Sequence, residues 1–334
     1  MNALSVIICT HNPRADYLTR TLDALKAQTL PKEKWELLLI DNASKEPLSQ
    51  TRDLSWHPNA RHIREDELGL TPARMRGIRE AAAEVLVFVD DDNLLRTDYL
   101  ENALKLTVSH PWVAAFGGNM IGEFESEPES CIRGVLHELT LGEVKEEVWA
   151  RYAKVKDIYF GPAGAGMVIR KMVATYYAEM SASDPLRHGL DRKGASLISA
   201  GDVDMALCSC VLGFAVGRFP QLYLTHLIPS TRLQRDYLLR LIEAKMLSSV
   251  ILQFIWDGTL PMVSSPSQPQ EHPSRSEKIF RAYQALRQRF KAKPSAPKPE
   301  DDTKLFEEEV KRASLRGVLR GAEILNNHRN GTAK

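Results

Sequence analysis

Apolar residues in this chain come in short blocks that end in polar turn formers. Leu4–Cys9 is such a block and is followed by THNPR, a strand giving way to a loop. Asp16 is placed to cap a helix carrying Leu18, Leu22 and Leu25 on one face, at spacings of four and three. Trp35–Ile40 reads as a second strand, again ending in an acid and turn formers, DNAS. A third short strand is expected near His62–Arg64. Thr71 and Pro72 suit a helix start, the hydroxyl capping and the proline in the first turn, and that helix is expected to run to about Glu84. Val85–Val89 and Trp112–Phe116 are the next strands. Strands alternating with amphipathic helices predict a mostly parallel sheet covered on both faces.

The second half is less regular. Glu123–Glu147 is acid-rich and reads as an excursion or surface loop, whereas GPAGAGMVIRK (161–171) and GDVDMAL (201–207) are sharp punctuation. Asp236–Trp256 is helical and strongly apolar. Pro261–Pro273 reads as a linker, Ser274–Lys293 as a helix, KPSAPKPEDD as a second linker and Thr303–Leu325 as a terminal helix before a frayed tail.

The totals narrow this picture. With 334 residues, 43% apolar and 26% charged, the chain suits one main globular domain with appendages. A formal charge of +1 gives no global attraction to nucleic acid. Four scattered cysteines make no disulfide framework, and Cys208 and Cys210 lack a second pair to complete a metal site. The opening MNALSVIICTHNPR lacks a basic leader and an h-region, and no stretch approaches a spanning helix. A cytoplasmic protein is expected.

Candidate chemistry gathers at the strand ends. Asn12, Asp41 and Asp90–Asp92 each follow a strand, so all meet on the rim where open α/β sheets bind ligands. Alternation puts Asp90 and Asp92 on one side and Asp91 on the other. Two carboxylates about 5 Å apart, at an effective dielectric near 20, repel by about 3 kcal/mol. A hard cation such as Mg²⁺ or Mn²⁺ removes that penalty and bridges to phosphates. An acidic turn capping the next helix is the competing account of three aspartates. Neither G-x-x-x-x-G-K-[ST] nor, after the first strand, G-x-G-x-x-G is present, which argues against an ATPase phosphate loop and a dinucleotide oxidoreductase.

In combination, VIICTHNPR (6–14), LLLIDNAS (37–44), GLTPARMRGIREAAAEVLVFVDDDNLL (69–95), GAGMVIRK (164–171) and SAGDVDMAL (199–207) resemble the inverting glycosyltransferases of family 2, which have the GT-A fold. The resemblance implies a Rossmann-like, mostly parallel sheet flanked by helices, with a helical C-terminal extension. It implies a catalytic domain over 1–232, divided into a nucleotide-sugar half (about 1–118) and an acceptor half (about 119–232). A helical region, 233–260, would pack on it, and 261–334 would hold Pro-rich linkers and C-terminal helices. Asp41 would bind the base or ribose of a nucleotide-sugar, with Thr10, Asn12 and Arg14 lining the same pocket and Arg74 on the nucleotide side. Asp90 and Asp92 would hold the Mn²⁺ or Mg²⁺ ion, and Asp91 would lie beside the donor. His226 resembles a late histidine that contacts metal or phosphate in some relatives, or else packs on the sheet edge, and Arg232 would meet the diphosphate. Gly164 and Gly166 would let backbone approach the acceptor side, near Gly161.

The family's catalytic acid sits in Gly-Glu-Asp-x-Asp/Glu-Leu. Here the stretch reads Ala200-Gly201-Asp202-Val203-Asp204-Met205, which assigns the base to Asp202 with Asp204 as competitor, because Gly201 stands in the glutamate's place. Met75 likewise stands where asparagine is usual. The implied reaction is a metal-dependent transfer from a nucleoside-diphosphate-sugar, UDP-sugar favoured, to a hydroxyl of a glycan or glycolipid, as in polysaccharide biosynthesis. A non-catalytic sugar-nucleotide or protein-binding module and a metal-dependent phosphohydrolase are the rivals. Residues 275–293 hold seven Lys/Arg and one Glu, with Ile279, Tyr283, Leu286 and Phe290 at helical spacing. Such a helix suits peripheral contact with the inner face of the membrane, or docking on the catalytic domain with its charges solvated.

Overall fold

The computed structural model describes residues 2–152, 161–259 and 300–332. The first half alternates strands and helices, with α2, β5 and α4 added to the predicted elements: β1 (Leu4–Thr10), α1 (Ala15–Lys26), β2 (Trp35–Asn42), α2 (Leu48–Thr51), β3 (Ala60–Glu65), α3 (Leu70–Glu80), β4 (Val85–Val89), β5 (Asn93–Leu95) and α4 (Tyr99–Ser109). Then follow β6 (Val113–Phe124), a 3-10 run Ser130–Leu139, β7 (Val148–Ala150), β8 (Val168–Arg170), α5 (Lys171–Ser183), α6 (Pro185–His188), α7 (Gly201–Val211), β9 (Ala215–Ile228) and α8 (Arg235–Asp257). A last helix covers Glu300–Thr332.

Among the described residues the strands form one nine-stranded sheet in the order β3-β2-β1-β4-β8-β6-β9-β5, with β7 on β9. The β3-β2-β1-β4 ladder is parallel, as is the long β6–β9 pairing, while the short β5, β7 and β8 run antiparallel to their neighbours. Leu4, Val6, Ile8, Leu37, Leu39, Val85, Val87 and Val89 face one core with α1 and α4. Ile7, Leu38, Ile40, Leu86 and Phe88 face the other, with α3, α5 and α7. Both faces being covered explains why these strands are continuously apolar instead of alternating with polar residues. The mostly parallel, doubly covered sheet and the helical C-terminal extension are as expected.

Several local expectations shift. Asp16 lies within the first turn of α1, where Arg14 holds the cap position and no side chain caps the helix. Gly69 precedes α3, and the Thr71 hydroxyl goes to Asp191 instead of capping. The helix stops at Glu80 because the amides of Ala82 and Ala83 bond the side chains of Glu36 and Ser5. β6 continues through Phe124, since its pairing with β9 runs to Phe124↔Ile228.

The C-terminal helix buries Phe306, Ala313 and Leu325. It approaches α8 so closely that a Cβ at Gly317 would stand 2.2 Å from the Glu243 carbonyl oxygen. No helix among the described residues is long and apolar enough to cross a membrane. The Pro261–Pro273 segment, the basic stretch 275–293 and most of the second linker lie outside the described residues.

Candidate active site

Parallel strands deliver their carboxyl ends to one rim, and Thr10 of β1 is paired with Asp41 of β2 there. β4 ends at Val89, so the three aspartates begin as the chain leaves the sheet. β5 then turns back and pairs Asn93 with His226 of β9, and the Leu227 amide donates to the Asp92 carbonyl at 2.8 Å. That local pairing sets Asp92 beside a histidine 134 positions later in the chain. The result is a cavity of about 310 Å³ lined by Thr10, Arg74, Asp90, Asp91, Asp92, Gly164, Asp202, His226 and Arg232.

The three aspartates differ. No hydrogen bond or ion pair is made to the Asp90 carboxylate among the described residues, and burial followed by the charge of Asp92 raises its pKa, against Arg74, His226 and Arg192. Asp91 accepts the Thr10 hydroxyl. Burial and then Asp92 push its pKa up to about 7. Asp92 is buried too, but His226 and Arg232 outweigh burial and lower its pKa. Arg232 Nη1 stands 3.1 Å from Asp92 Oδ2 and 3.1 Å from His226 Nε2, with His226 Nε2 3.4 Å from Asp92 Oδ2.

Asp202 lies on the first turn of α7. Its Oδ2 accepts the Gly164 amide at 2.7 Å and its Oδ1 the Val203 amide at 2.9 Å. Asp204, about 200° further round the helix, points into the interior. Arg187 and the Trp256 indole reach its Oδ1 at 2.6 Å each. Of the two acids competing for the base, Asp202 faces the cavity and Asp204 does not.

Arg74 lines the cavity and donates from Nη1 to both oxygens of Asp191 at 2.9 and 3.0 Å. Burial opposes its charge, but Asp191, Asp202 and Asp90 together raise its pKa.

Besides Asp204, four sequence-predicted residues lie off the cavity lining. Arg14 is exposed, ion-paired to Asp16 and Glu125 and stacked on Tyr17. Asn12 braces the neighbouring loop, its backbone amide donating to the Ser44 hydroxyl oxygen and its side-chain oxygen accepting from the Lys45 amide, each at 2.9 Å. Asp41 spends its carboxylate on the amides of Ser44 and Leu48 and on Arg64. Strand alternation turns the next residue, Asn42, toward the cavity instead. Gly166 (φ 74°) fits under Tyr99, whose hydroxyl donates to its carbonyl at 2.5 Å.

Sequence reasoning missed Asn42, Asp191 and Arg192. The DN pair at the end of β2 was the available signal for Asn42. The other two come from an irregular loop that gives no periodic signal.

A divalent cation fits the donor set in one form. Among the described residues no three His, Cys, Asp or Glu side chains make a ready cage. Mg²⁺ and Mn²⁺, however, commonly take one or two carboxylates and complete their shell with phosphate and water. The Asp90 side chain, which makes no hydrogen bond or ion pair among the described residues and lines the cavity beside Asp92, is such a carboxylate.

Residues 5–130 match the family model described as Glycosyl transferase family 2. Over 120 residues the chain is 34% identical to a glycosyltransferase, AglE, of Haloferax volcanii, covering 35% of this chain and 39% of that one. It is 23% identical over 124 residues to the glucosyl-dolichyl phosphate glucuronosyltransferase of the same organism, covering 36% and 39%. The match thus spans about two fifths of the length of these curated relatives. Among solved structures, S. aureus TarS 1–349 in complex with UDP is similar at 14% identity and a TM-score of 0.49, over 99% of this chain and 92% of that one.

Proposed function

We propose that this chain, whose residues 5–130 match the glycosyl transferase family 2 model, is a glycosyltransferase of GT-A type that moves a sugar from a nucleoside-diphosphate-sugar to a hydroxyl of a glycan or glycolipid, with inversion. The observation that carries this reading is the sharing of one cavity by the Asp90–Asp92 rim and the Asp202 carboxylate. The rim suits a diphosphate, and Asp202 suits a base on the acceptor side.

In the proposed reaction the Asp202 carboxylate takes the proton of the acceptor hydroxyl as that oxygen attacks the anomeric carbon. The bond from that carbon to the diphosphate oxygen breaks on the opposite face, and the nucleoside diphosphate leaves with the electron pair. The Gly164 and Val203 amides hold the carboxylate by both oxygens and fix its aim. General-base help of this kind is typically worth about 10²–10⁴-fold. Arg232, beside Asp92, supplies positive charge where the leaving diphosphate gains negative charge. A Mg²⁺ or Mn²⁺ ion held by Asp90 and Asp92 together with the diphosphate would add charge stabilisation at the same place. UDP-sugars are the favoured donors.

Two variants divide these roles. Asp202→Asn should keep affinity for UDP in Mn²⁺ buffer, measured by calorimetry, while abolishing acceptor-dependent UDP release from a panel of UDP-sugars. Asp92→Asn should lose the cation-dependent part of that affinity. Release of free sugar at one rate with and without acceptor would favour a phosphohydrolase. Binding with no turnover on any donor would favour a binding module.

A further inference from the structure

One buried charge close to this cavity takes no part in the proposed reaction. Asp191 lies in the loop between α6 and α7, with its side chain 3% exposed, and its pair with Arg74 is buried on both sides. Besides Nη1 of Arg74, it accepts the Thr71 hydroxyl at 3.0 Å. Both donors sit in the first turns of α3, so one carboxylate from a loop ties down the start of a helix more than a hundred positions earlier.

The other edge of the guanidinium faces the chemistry. Arg74 Nη2 stands 2.6 Å from where a Cβ at Gly164 would be, abreast of Asp202 Oδ2, which stands 3.1 Å from the same point.

The residue behind Asp191 is Gly201, the first residue of α7. A Cβ there would stand 2.4 Å from Asp191 Oδ2, 2.6 Å from its Cγ and 2.7 Å from its Oδ1. With its Cγ as near that point as its oxygens, the Asp191 carboxylate lies broadside against Gly201 and fills the space a side chain at position 201 would need. Gly201 does not have a left-handed backbone, so its conformation does not call for glycine. The carboxylate lying against it does.

We propose that Asp191 is a positioning residue that reaches across the space left by Gly201 to aim Arg74, presenting the free guanidinium edge beside Asp202 to the donor's anionic side. Positions 191 and 201 form an exclusive pair: one carboxylate is needed in that volume, and there is room for only one. This deepens the glycosyltransferase reading and rests on it for the identity of the donor.

The experiment is a carboxylate swap. Asp191→Ala should lower kcat for UDP release by about 10²-fold, as an ångström-scale misplacement of a charged group does. Gly201→Asp alone should do the same by crowding two carboxylates together. The double variant, Asp191→Ala with Gly201→Asp, should recover most of the lost kcat. Asp191→Asn, which keeps the shape and one acceptor, should fall between wild type and Asp191→Ala and serves if Asp191→Ala does not fold.

Side-chain N–H signals of Arg74 in a ¹⁵N NMR spectrum report the pair without any turnover. They should shift or exchange away in Asp191→Ala and return in the double variant. Wild-type kcat in folded Asp191→Ala or Asp191→Asn, or a folded double variant as impaired as the single with Arg74 signals still perturbed, would overturn the proposal. A wild-type protein that turns over no sugar donor would overturn the functional reading alone, since the NMR arm still decides the pairing.

Discussion

Adding one methyl group at Gly164 tests the site where its tolerances are tightest. Gly164 has no left-handed φ, so alanine meets no left-handed strain there and the effect is expected from contact. Its Cβ would lie 2.6 Å from Arg74 Nη2, 3.0 Å from Asp202 Cβ and 3.1 Å from Asp202 Oδ2. Reaching ordinary contact near 3.4 Å requires about 0.4 Å of movement at Asp202 Cβ and about 0.8 Å at the guanidinium, whose other end is pinned by Asp191. The Gly164 amide still donates to Asp202, so the carboxylate is displaced without being freed. Displacements of this order at a reacting group cost up to about 10²-fold in rate. Overpacking costs about 1–3 kcal/mol of stability. The expected result is a kcat for acceptor-dependent UDP release lowered by about 10- to 100-fold, with the melting temperature down by only a few degrees. A correctly folded Gly164→Ala protein with wild-type kcat would refute the placement of Asp202 as base.

Asp204 predicts a pH dependence. Burial outweighs Arg187 and Trp256 and raises its pKa to about 6. A raised folded pKa gives stability that is present below the unfolded value and lost as pH rises through the folded one. The melting temperature of wild type minus that of Asp204→Asn should therefore fall between about pH 4 and pH 7 and stay level above; a difference independent of pH would count against the shift. Asp41→Asn removes the acceptor shared by the Leu48 amide and Arg64, and should lower the urea midpoint by the equivalent of about 1–3 kcal/mol at unchanged slope. Chelation by EDTA should weaken UDP binding at least tenfold relative to Mn²⁺ buffer, read by calorimetry; equal affinity in both would remove the cation from the account.

The strands were legible because burial on two faces leaves a continuous apolar signature that few other elements share. Their ends were less so. β2 runs two residues past Ile40 because its ladder with β3 continues to Asn42↔Glu65, and that pairing is invisible until β3 is placed. Thr71 has the chemistry of a cap, yet its hydroxyl is taken by Asp191 from a distant loop. Nothing local to residue 71 carries that information. The strand-end rule brought Asp90–Asp92 to the cavity, but it treated Asp41 and Asn42 as one polar turn. The pleat separates them, sending the first into the loop at Ser44 and the second into the cavity.

The charge arrangement explains why so many acids can share one small space. Asp90, Asp91, Asp92 and Asp202 all line the cavity against Arg74, Arg192 and Arg232, and Arg74 is already paired with Asp191 from behind. Arg232 is in turn drawn to Asp92. The lining therefore stays short of positive charge, and its response is visible in Asp90 and Asp91, whose raised pKa values reflect burial first and Asp92 next. A diphosphate entering such a cavity alone would add negative charge to groups that already disfavour their own ionisation. Arg74, His226 and Arg192 offset part of the charge on Asp90, yet burial and Asp92 still raise its pKa. Under the proposed function, a divalent cation held at Asp90 would offset the negative charge of the acids and of an anionic donor together.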